Sequence, residues 1–366
     1  MLWMKLVALG LSLVLAAVAA EVLVLALAGQ QAKFPRHVVE APWGLRYNNP
    51  GSSYRHQSAD GTWQFRINSG GMRDDREFTY AQPAGVQRIV SLGDSFTVGY
   101  EVDVEQCFSS VLEHELRAAD YNVEVLNAGV SGFSTAEECL YLERELWKYE
   151  PDVVLVSFYG NDLVDNTRTS LFRFEEDTLD PWNETYVPMG AVANYLNSSF
   201  VFNLLSERSN AMVFLKEQLT TLIKHRIVTA NEQQLAQAGD ATDAEARYRE
   251  RLAAAIFERI YEMCRERGVP LVIQSIPGLV ERPDVELVEQ FPLADFDVSR
   301  PGVTFVSAKP LLDPNCGGEL LYHRRSHGHW TVLSHGISGR ALARAILDAD
   351  LLHAEAAVAS ASRSVR

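Results

Sequence analysis

The chain has little positive charge. Its 366 residues include 33 lysines and arginines against 48 aspartates and glutamates, which gives a formal net charge of −15. A nucleic-acid-binding surface needs clustered basic side chains to neutralise phosphates, so this composition argues against nucleic acid as a partner. Runs of like charge are also absent, and we therefore expect the acidic residues to lie on a solvated surface.

Cysteine is scarce as well. The four cysteines have no spacing typical of a zinc site, and they allow three disulfide pairings among which the sequence does not decide; they are Cys107, Cys139, Cys264 and Cys316. Cys264 lies one helical turn after Ile260, which favours a buried thiol at that position. We expect no cofactor and no disulfide that the fold depends on.

One long hydrophobic run is present, at the N-terminus. Leu6 to Ala28 is apolar except for three residues, and as a helix it would span about 30 Å of hydrocarbon. We predict a retained single-pass membrane anchor over 1–29, with the rest of the chain outside the cytoplasm. The alternative is a signal peptide cleaved after Ala17-Val18-Ala19, which would leave a secreted or periplasmic protein. The apolar run continues beyond that point, and this favours the anchor.

The remainder of the chain divides into three parts. Residues 30–85 are rich in Pro, Gly, Asn and Ser and are interpreted as an extension, with a short strand within 61–68. Residues 86–352 are predicted to form the main domain, interrupted by an insertion over 164–250 that has a polar loop at Pro181 and Trp182 and then helices. Residues 353–366 are expected to be a flexible tail.

Strand and helix patterns alternate in the main domain. Five short apolar runs predict strands, at 88–92, 123–126, 153–158, 270–274 and 303–306. Helical spacing of apolar residues predicts helices between them, at 105–119, 135–149, 247–267 and 336–351, with Thr135 as an N-cap and Glu138 completing a capping box. Near-continuous apolar strands are typical of parallel sheets that are covered on both faces. The fold class is therefore α/β, a three-layer α/β/α domain around a five-stranded parallel sheet.

Three polar segments follow predicted strands, where open parallel sheets bind ligands. Ser95, in Gly93-Asp94-Ser95, is a candidate nucleophile, although a serine at such a turn is more often an N-cap. Asn161 carries a side-chain amide that can stabilise an oxyanion, and Gly132 lets a backbone N–H approach a substrate. Each of these two also fits ordinary turn chemistry. The stretch is not the Gly-x-Ser-x-Gly elbow of α/β-hydrolases.

Four histidines fall close together near the C-terminus, namely His323, His327, His329 and His335. A metal site is one interpretation, but no carboxylate or cysteine lies among them. We favour His329 as a single general base and expect no metal.

Together these segments resemble the SGNH hydrolase superfamily, the GDSL esterase/lipase-like enzymes, in their membrane-anchored bacterial form. The matching blocks are Ile89–Tyr100, Asn127–Gly132, Tyr159–Asp162 and His329–His335, in that order. The resemblance implies a flavodoxin-like fold with Ser95 as nucleophile and His329 as base. It also implies an oxyanion hole built from the N–H groups of Ser95 and Gly132 and the Asn161 amide, with Asp94 bracing the loop.

One position departs from the family pattern. The family usually has an aspartate two or three residues before the histidine, and here those positions hold His327 and Ser326. A neutral His327 or a backbone carbonyl would then orient His329, or Asp313 or Glu319 would reach it from elsewhere in the fold.

The resemblance implies a serine ester hydrolase that forms an acyl-enzyme. Its substrate would be a small-molecule or glycan ester, including acetyl esters of glycans, and its other partner the membrane, through the N-terminal helix. Two alternatives use the same fold: an O-acyltransferase acting on envelope glycans, and a catalytically weak binding module.

Overall fold

The computed structural model of the protein describes most of the chain. The described residues are 2–29, 31, 33, 38–58, 60–187, 199–216, 218, 241–280, 286–292, 294–313, 320–323 and 328–353. The predicted tail from residue 354 onward and Cys316 lie outside them.

The N-terminal part forms one long helix and two small hairpins. Helix α1 (Leu2–Ala28) buries none of its side chains and is long and apolar enough to cross a membrane. Strands β1 (Val38–Glu40) and β2 (Arg46–Asn48) pair antiparallel, as do β3 (Ser53–Gln57) and β4 (Thr62–Arg66). Strand β4 lies where the sequence predicts one.

The second hairpin supports the segment that follows Ser95. Tyr54, Phe65 and Ile67 are buried in one apolar cluster with Val98 and Tyr100. Residues of the extension therefore help to hold the first block of the main domain in place.

The remaining strands form the central sheet and two outlying hairpins. They are β5 (Gln87–Leu92), β6 (Val123–Asn127), β7 (Val153–Tyr159), β8 (Phe172–Glu175), β9 (Thr178–Pro181), β10 (Leu271–Ile276), β11 (Gly278–Val280), β12 (Glu286–Val288) and β13 (Val303–Ser307). The central sheet is parallel and has the order β6-β5-β7-β10-β13. All five of its strands were predicted, and the fold class is confirmed.

The strand order determines where a ligand would bind. Numbered along the chain, the five strands run 2-1-3-4-5, so the direction of the connections reverses between β5 and β7. Such a reversal opens a crevice at the carboxyl ends of the two strands. Ser95 follows β5 and Asn161 follows β7, so both lie at this crevice.

Helices cover both faces of the sheet. Those after α1 are α2 (Ser95–Val98), α3 (Phe108–Ala118), α4 (Thr135–Arg144), α5 (Asp162–Thr169), α6 (Phe200–Arg208), α7 (Ala241–Arg267), α8 (Lys309–Leu312) and α9 (Val332–Asp348). Helices α3 and α9 pack on one face, and α4, α5 and α7 on the other. In β7, Val153 and Leu155 face the first group while Val154 and Val156 face the second. This two-sided burial explains the near-continuous apolar run.

Helix α4 begins differently from the prediction. Ser134, not Thr135, is the N-cap, since its hydroxyl accepts from the Glu137 N–H and the Glu137 carboxylate accepts from the Ser134 N–H at 3.1 Å. The capping box is therefore shifted by one residue, and Glu138 is left to be buried. The α-helix also stops at Arg144, and a 3₁₀ turn (Leu146–Tyr149) follows it.

The starts of three further helices differ from the prediction, and so does one loop. Helix α3 begins at Phe108, after a 3₁₀ turn at Val104–Gln106, and α7 begins at Ala241, six residues before the predicted start. Helix α9 starts at Val332, four residues before the predicted start, and its N-cap residue is Thr331. The polar loop predicted at Pro181 is an antiparallel hairpin of β8 and β9. Pro181 is tolerated there because it is the last residue of a short strand, where a missing N–H costs little.

Candidate active site

Ser95 is the first residue of α2, directly after the turn that leaves β5. The Asp94 side chain caps this helix by accepting from the Phe96 N–H at 2.9 Å. Ser95 Oγ lies 3.4 Å from Asp94 Oδ2, to which it donates. Between Arg88 and Val102 every residue except Ser95 is buried. The turn therefore presents one hydroxyl at the crevice, and Asp94 braces the loop, as the family resemblance implies.

His329 lies on a loop that closes on itself beside this turn. Tyr322 and Trp330 form an antiparallel bridge, and the His323 N–H donates to the His329 carbonyl at 2.8 Å. The imidazole packs edge-on against Phe96, with ring centroids 5.4 Å apart, and against Tyr100 at 5.2 Å. The structure thus brings the loop of His329 against the residue that follows Ser95.

A carboxylate that the sequence analysis missed faces His329. Glu101 Oε2 lies 3.4 Å from His329 Nδ1, and the Glu101 side chain is fully buried. Its backbone has φ +65°, a left-handed conformation that a side-chain-bearing residue rarely adopts and that is unfavourable by about 1–3 kcal/mol. The sequence contains little signal for this role, since Glu101 is the first of three acidic residues that alternate with valine, followed by Asp103 and Glu105.

The carboxylates proposed from sequence do not take this position. Asp313 is exposed and pairs with Lys309 at 2.7 Å, so the suggestion that it orients His329 is wrong. Ser326, His327 and Glu319 lie outside the described residues. Glu101 lies near the start of the main domain in the sequence and His329 lies near its end, so the residues next to His329 in the sequence do not indicate this contact.

The loop after β6 approaches the serine turn closely. A Cβ on Gly129 would lie 2.4 Å from the Val98 nitrogen, so only glycine fits there. The Val130 N–H donates to the Gly93 carbonyl at 3.0 Å, which joins the two loops. Gly132 has φ +74°, a conformation that glycine adopts without strain.

The extension holds the Gly132 peptide. The Arg46 guanidinium donates to the Gly132 carbonyl and pairs with Glu137 at 2.7 Å. Because Arg46 binds the Gly132 carbonyl, the loop after β6 has a defined orientation at the crevice. The Asn161 side chain lies across the same crevice and donates to Asp94 Oδ2 at 3.3 Å. An amide nitrogen carries two hydrogens, so the second remains available for a substrate oxygen.

Comparison with known proteins identifies the family. Residues 91–285, just over half of the 366-residue chain, match the GDSL-like lipase/acylhydrolase family. The chain belongs to this family. The match includes Ser95, Gly132 and Asn161 and ends before His329.

Individual relatives of this GDSL-like protein are distant. An arylesterase of Vibrio mimicus is 32% identical over 76 residues, which are 21% of this chain and 38% of the relative. Esterase TesA of Pseudomonas aeruginosa is 30% identical over 81 residues, 22% of this chain and 40% of the relative. The chain thus spans about two fifths of the curated relatives it matches.

Two solved structures overlap more of the chain at lower identity. The crystal structure of TesA is 13% identical and covers 73% of this chain and 100% of its own, with a TM-score of 0.38. A two-domain esterase active on acetylated mannans is 12% identical and covers 73% of this chain and 50% of its own, with a TM-score of 0.40.

Buried acids lie beneath the crevice of the GDSL-like domain. Burial, and then repulsion from Asp94 and Glu137, raises the pKa of the Glu138 carboxyl well above its usual range. Burial, and then repulsion from Glu138 and Asp94, does the same to the pKa of Asp162. Burial also raises the pKa of Asp94, although the Phe96 N–H opposes this. These three carboxyls therefore ionise less readily than carboxyls in water.

Two further histidines of the C-terminal cluster, His323 and His335, pack against aromatic rings. His323 lies edge-on to Trp63 with centroids 5.6 Å apart, and His335 stacks on Phe108 at 5.8 Å. Within the described ranges, no group of three or more His, Cys, Asp or Glu side chains is arranged to hold a metal ion.

His335 makes stability depend on pH. Its Nδ1 accepts from the Phe108 N–H at 3.2 Å, and burial, followed by the charge of Arg73, lowers its pKa from 6.5 to about 3. Below pH 6.5 His335 binds a proton in the unfolded chain but stays neutral in the folded chain, so protonation of His335 favours unfolding as pH falls. We expect the free energy of unfolding to decrease for this reason by about 1.4 kcal/mol per pH unit down to about pH 3.

Denaturant unfolding at several pH values checks this expectation. The control is His335→Asn, whose side-chain oxygen can still accept from the Phe108 N–H but does not titrate. The wild type should lose its advantage over the variant between neutral pH and pH 4. Parallel stability curves for the two proteins would contradict the assignment.

Proposed function

We propose that this protein is a serine ester hydrolase in which Ser95, His329 and Glu101 act together. The observation that carries the proposal is the buried Glu101 carboxylate 3.4 Å from His329 Nδ1, beside the one accessible hydroxyl of the GDSL-like turn. Membership of the family and the two curated esterase relatives support ester hydrolysis.

The proposed reaction begins with Ser95 Oγ attacking the ester carbonyl carbon. His329 accepts the serine proton on the ring nitrogen opposite Nδ1, while Glu101 holds the Nδ1–H and stabilises the imidazolium. The N–H groups of Ser95 and Gly132 and the Asn161 amide donate to the oxyanion. The leaving alcohol takes the proton from His329, and an acyl-enzyme remains. Water activated by His329 then releases the acid and restores Ser95.

Substrate class follows from the family and is also a proposal. Acyl esters of small molecules or of glycans, acetyl esters included, are the candidates. Hydrolysis of p-nitrophenyl acetate by the purified protein, with one acid released for each phenolate, tests the activity. Transfer of the acetyl group to an added oligosaccharide in place of water would instead identify an acyltransferase.

The Asn161 amide supplies a specific prediction. We expect Asn161→Ala to lower kcat for ester hydrolysis by about 10²–10³-fold with little change in KM, because the lost hydrogen bond forms mainly in the transition state. Steady-state kinetics measure this. Asn183→Ala is the matched control, since Asn183 is exposed and its amide donates to the Ser170 carbonyl away from the crevice. A purely higher KM with unchanged kcat would assign Asn161 to substrate binding instead.

We also propose that α1 remains attached as a membrane anchor, with the GDSL-like domain outside the cytoplasm. The helix is long and apolar enough to span a bilayer, and its side chains are not covered by the rest of the protein. Lys5 at its start favours a cytoplasmic N-terminus. Carbonate-resistant membrane association of the full chain tests the anchor, whereas release of the protein into the soluble fraction would indicate a cleaved signal.

A further inference from the structure

One contact joins the apolar N-terminal helix to the insertion. Glu21 is the one acidic residue of α1, and its carboxylate accepts four hydrogen bonds from three consecutive residues. The donors are Ser209 Oγ at 2.9 Å, the Asn210 N–H at 2.8 Å, the Asn210 side-chain amide at 2.6 Å and the Ala211 N–H at 3.0 Å. A carboxylate within a membrane span needs such partners, since it has no water to bind.

The position of Glu21 in α1 determines the depth of this contact. A span of about 20 helical residues crosses the hydrocarbon; counted from Leu6, the first residue after Lys5, it ends at Leu25. At 1.5 Å per residue, Glu21 then lies about 6 Å inside the hydrocarbon edge. A shift of α1 that moved Glu21 out of the hydrocarbon would move Lys5, at the other end of the helix, into the hydrocarbon. Residues 209–211 therefore lie at or below the level of the lipid headgroups.

Helix α6, which ends next to this contact, exposes its apolar side. Phe200 is 77% exposed and Val201 62% exposed, and Leu204 and Leu205 of the following turn are exposed as well. Spacings of four residues place them along one side of the helix. Ser206 is buried instead. A helix packed in water shows the opposite distribution, with its apolar side covered.

A basic group lies at the end of this apolar surface. Arg208 is exposed one turn after Leu204. Such a cation suits the level of lipid phosphates, with its aliphatic stem directed toward the acyl chains. The buried Lys33 amino group donates to the Arg208 carbonyl at 3.3 Å and so fixes the end of α6 to the extension. Leu215, on the neighbouring helical segment 210–216, is 65% exposed and extends the apolar surface.

We propose that α6 and residues 209–216 form a membrane-interface element, which lies in the lipid interface beside α1 with its exposed apolar side chains among the acyl chains. This proposal rests on the proposed anchor, because the depth of Glu21 follows from α1 spanning the bilayer. The partner is the lipid bilayer itself. The element adds a second point of membrane contact on the same face as the anchor, and two contacts hold a domain in one orientation.

The membrane-interface element is connected to the active site through one hairpin. Arg55 of β3 donates to the Glu207 carbonyl of α6 at 3.4 Å. Tyr54 of the same strand packs in the cluster that contains Tyr100, the residue before Glu101. The membrane-interface element therefore holds the crevice at a fixed distance from the bilayer. At this distance Ser95 would reach esters of lipids or of membrane-proximal glycans.

Photocrosslinking of the full chain in lipid nanodiscs tests this placement. p-Benzoylphenylalanine is introduced at Phe200, at Leu15 in the middle of α1, or at Tyr80, which is half-exposed at the end of the extension. After irradiation, mass spectrometry measures lipid adducts and gel electrophoresis measures protein–protein products. We expect adducts at positions 15 and 200 to exceed those at position 80 by at least about tenfold, because only the first two would lie among acyl chains.

The three positions separate the possible failures. Adducts at 15 with only the background level of position 80 at 200 would overturn the interface element and leave the anchor standing. Background levels at both 15 and 200 would overturn the anchor and the inference together. A crosslinked dimer from position 200 without lipid adducts would show that a second copy of the chain covers α6, and this also overturns the proposal.

Discussion

Replacement of Ser95 by alanine is expected to lower kcat for ester hydrolysis by about 10⁵–10⁶-fold, since without the nucleophile no acyl-enzyme forms and only the oxyanion donors and substrate binding remain. The fold should be unaffected, because Ser95 Oγ makes only a long 3.4 Å contact with Asp94 and lies at the surface of the crevice. Steady-state hydrolysis and thermal unfolding of the same samples measure both effects.

A fluorophosphonate probe gives an independent measurement of the same residue. Wild type should be labelled, Ser95→Ala should not, and Ser299→Ala should be labelled like wild type because Ser299 lies on an exposed loop. Equal labelling of all three proteins would show that the reactive serine is elsewhere. An unlabelled but folded wild type would instead support a binding module on the GDSL-like fold.

The second large effect concerns Glu101. We expect Glu101→Gln to lower kcat by about 10⁴-fold, the loss seen in a serine protease when the acid of the triad is made neutral. Glutamine keeps the shape of the side chain but no longer stabilises the charged imidazole of His329.

Controls separate positioning from simple destabilisation. Glu105→Gln removes an exposed carboxylate four residues away and should retain full activity. Glu101→Asp keeps the charge and should recover part of the lost rate, which a purely structural role would not explain. If Glu101→Gln retains activity within about threefold of wild type, the acid that orients His329 is another group and the proposed triad is wrong.

Local patterns predicted the sheet because its inner strands, β5, β7 and β10, are buried on both sides. In β7, alternate valines and leucines face the two apolar clusters, so the whole run is hydrophobic and its ends are marked by polar residues. The first helical turn of α4 was predicted less accurately. Ser134 and Thr135 are both good N-caps with a glutamate three residues later, and only the backbone geometry of the folded chain selects Ser134.

The contact between Glu101 and His329 could not be predicted from local sequence patterns. The Glu101 carboxylate meets an imidazole from the far end of the main domain, and that pairing depends on how two loops pack around Phe96 and Tyr100. Its left-handed backbone is equally invisible in the sequence, since nothing about a glutamate indicates φ +65°. Asp313 is nearer to His329 in the sequence, but in the structure it pairs with Lys309.

The parallel α/β architecture, the family and the segments that end at the crevice follow from the amino-acid sequence, because periodicity and turn residues are local properties. Three contacts could be found only in the folded chain, namely which acid faces His329, which arginine contacts the Gly132 carbonyl and which groups donate hydrogen bonds to Glu21. Each of these is a contact between residues distant in the chain. Such contacts arise only when strand order and loop packing bring the two partners together.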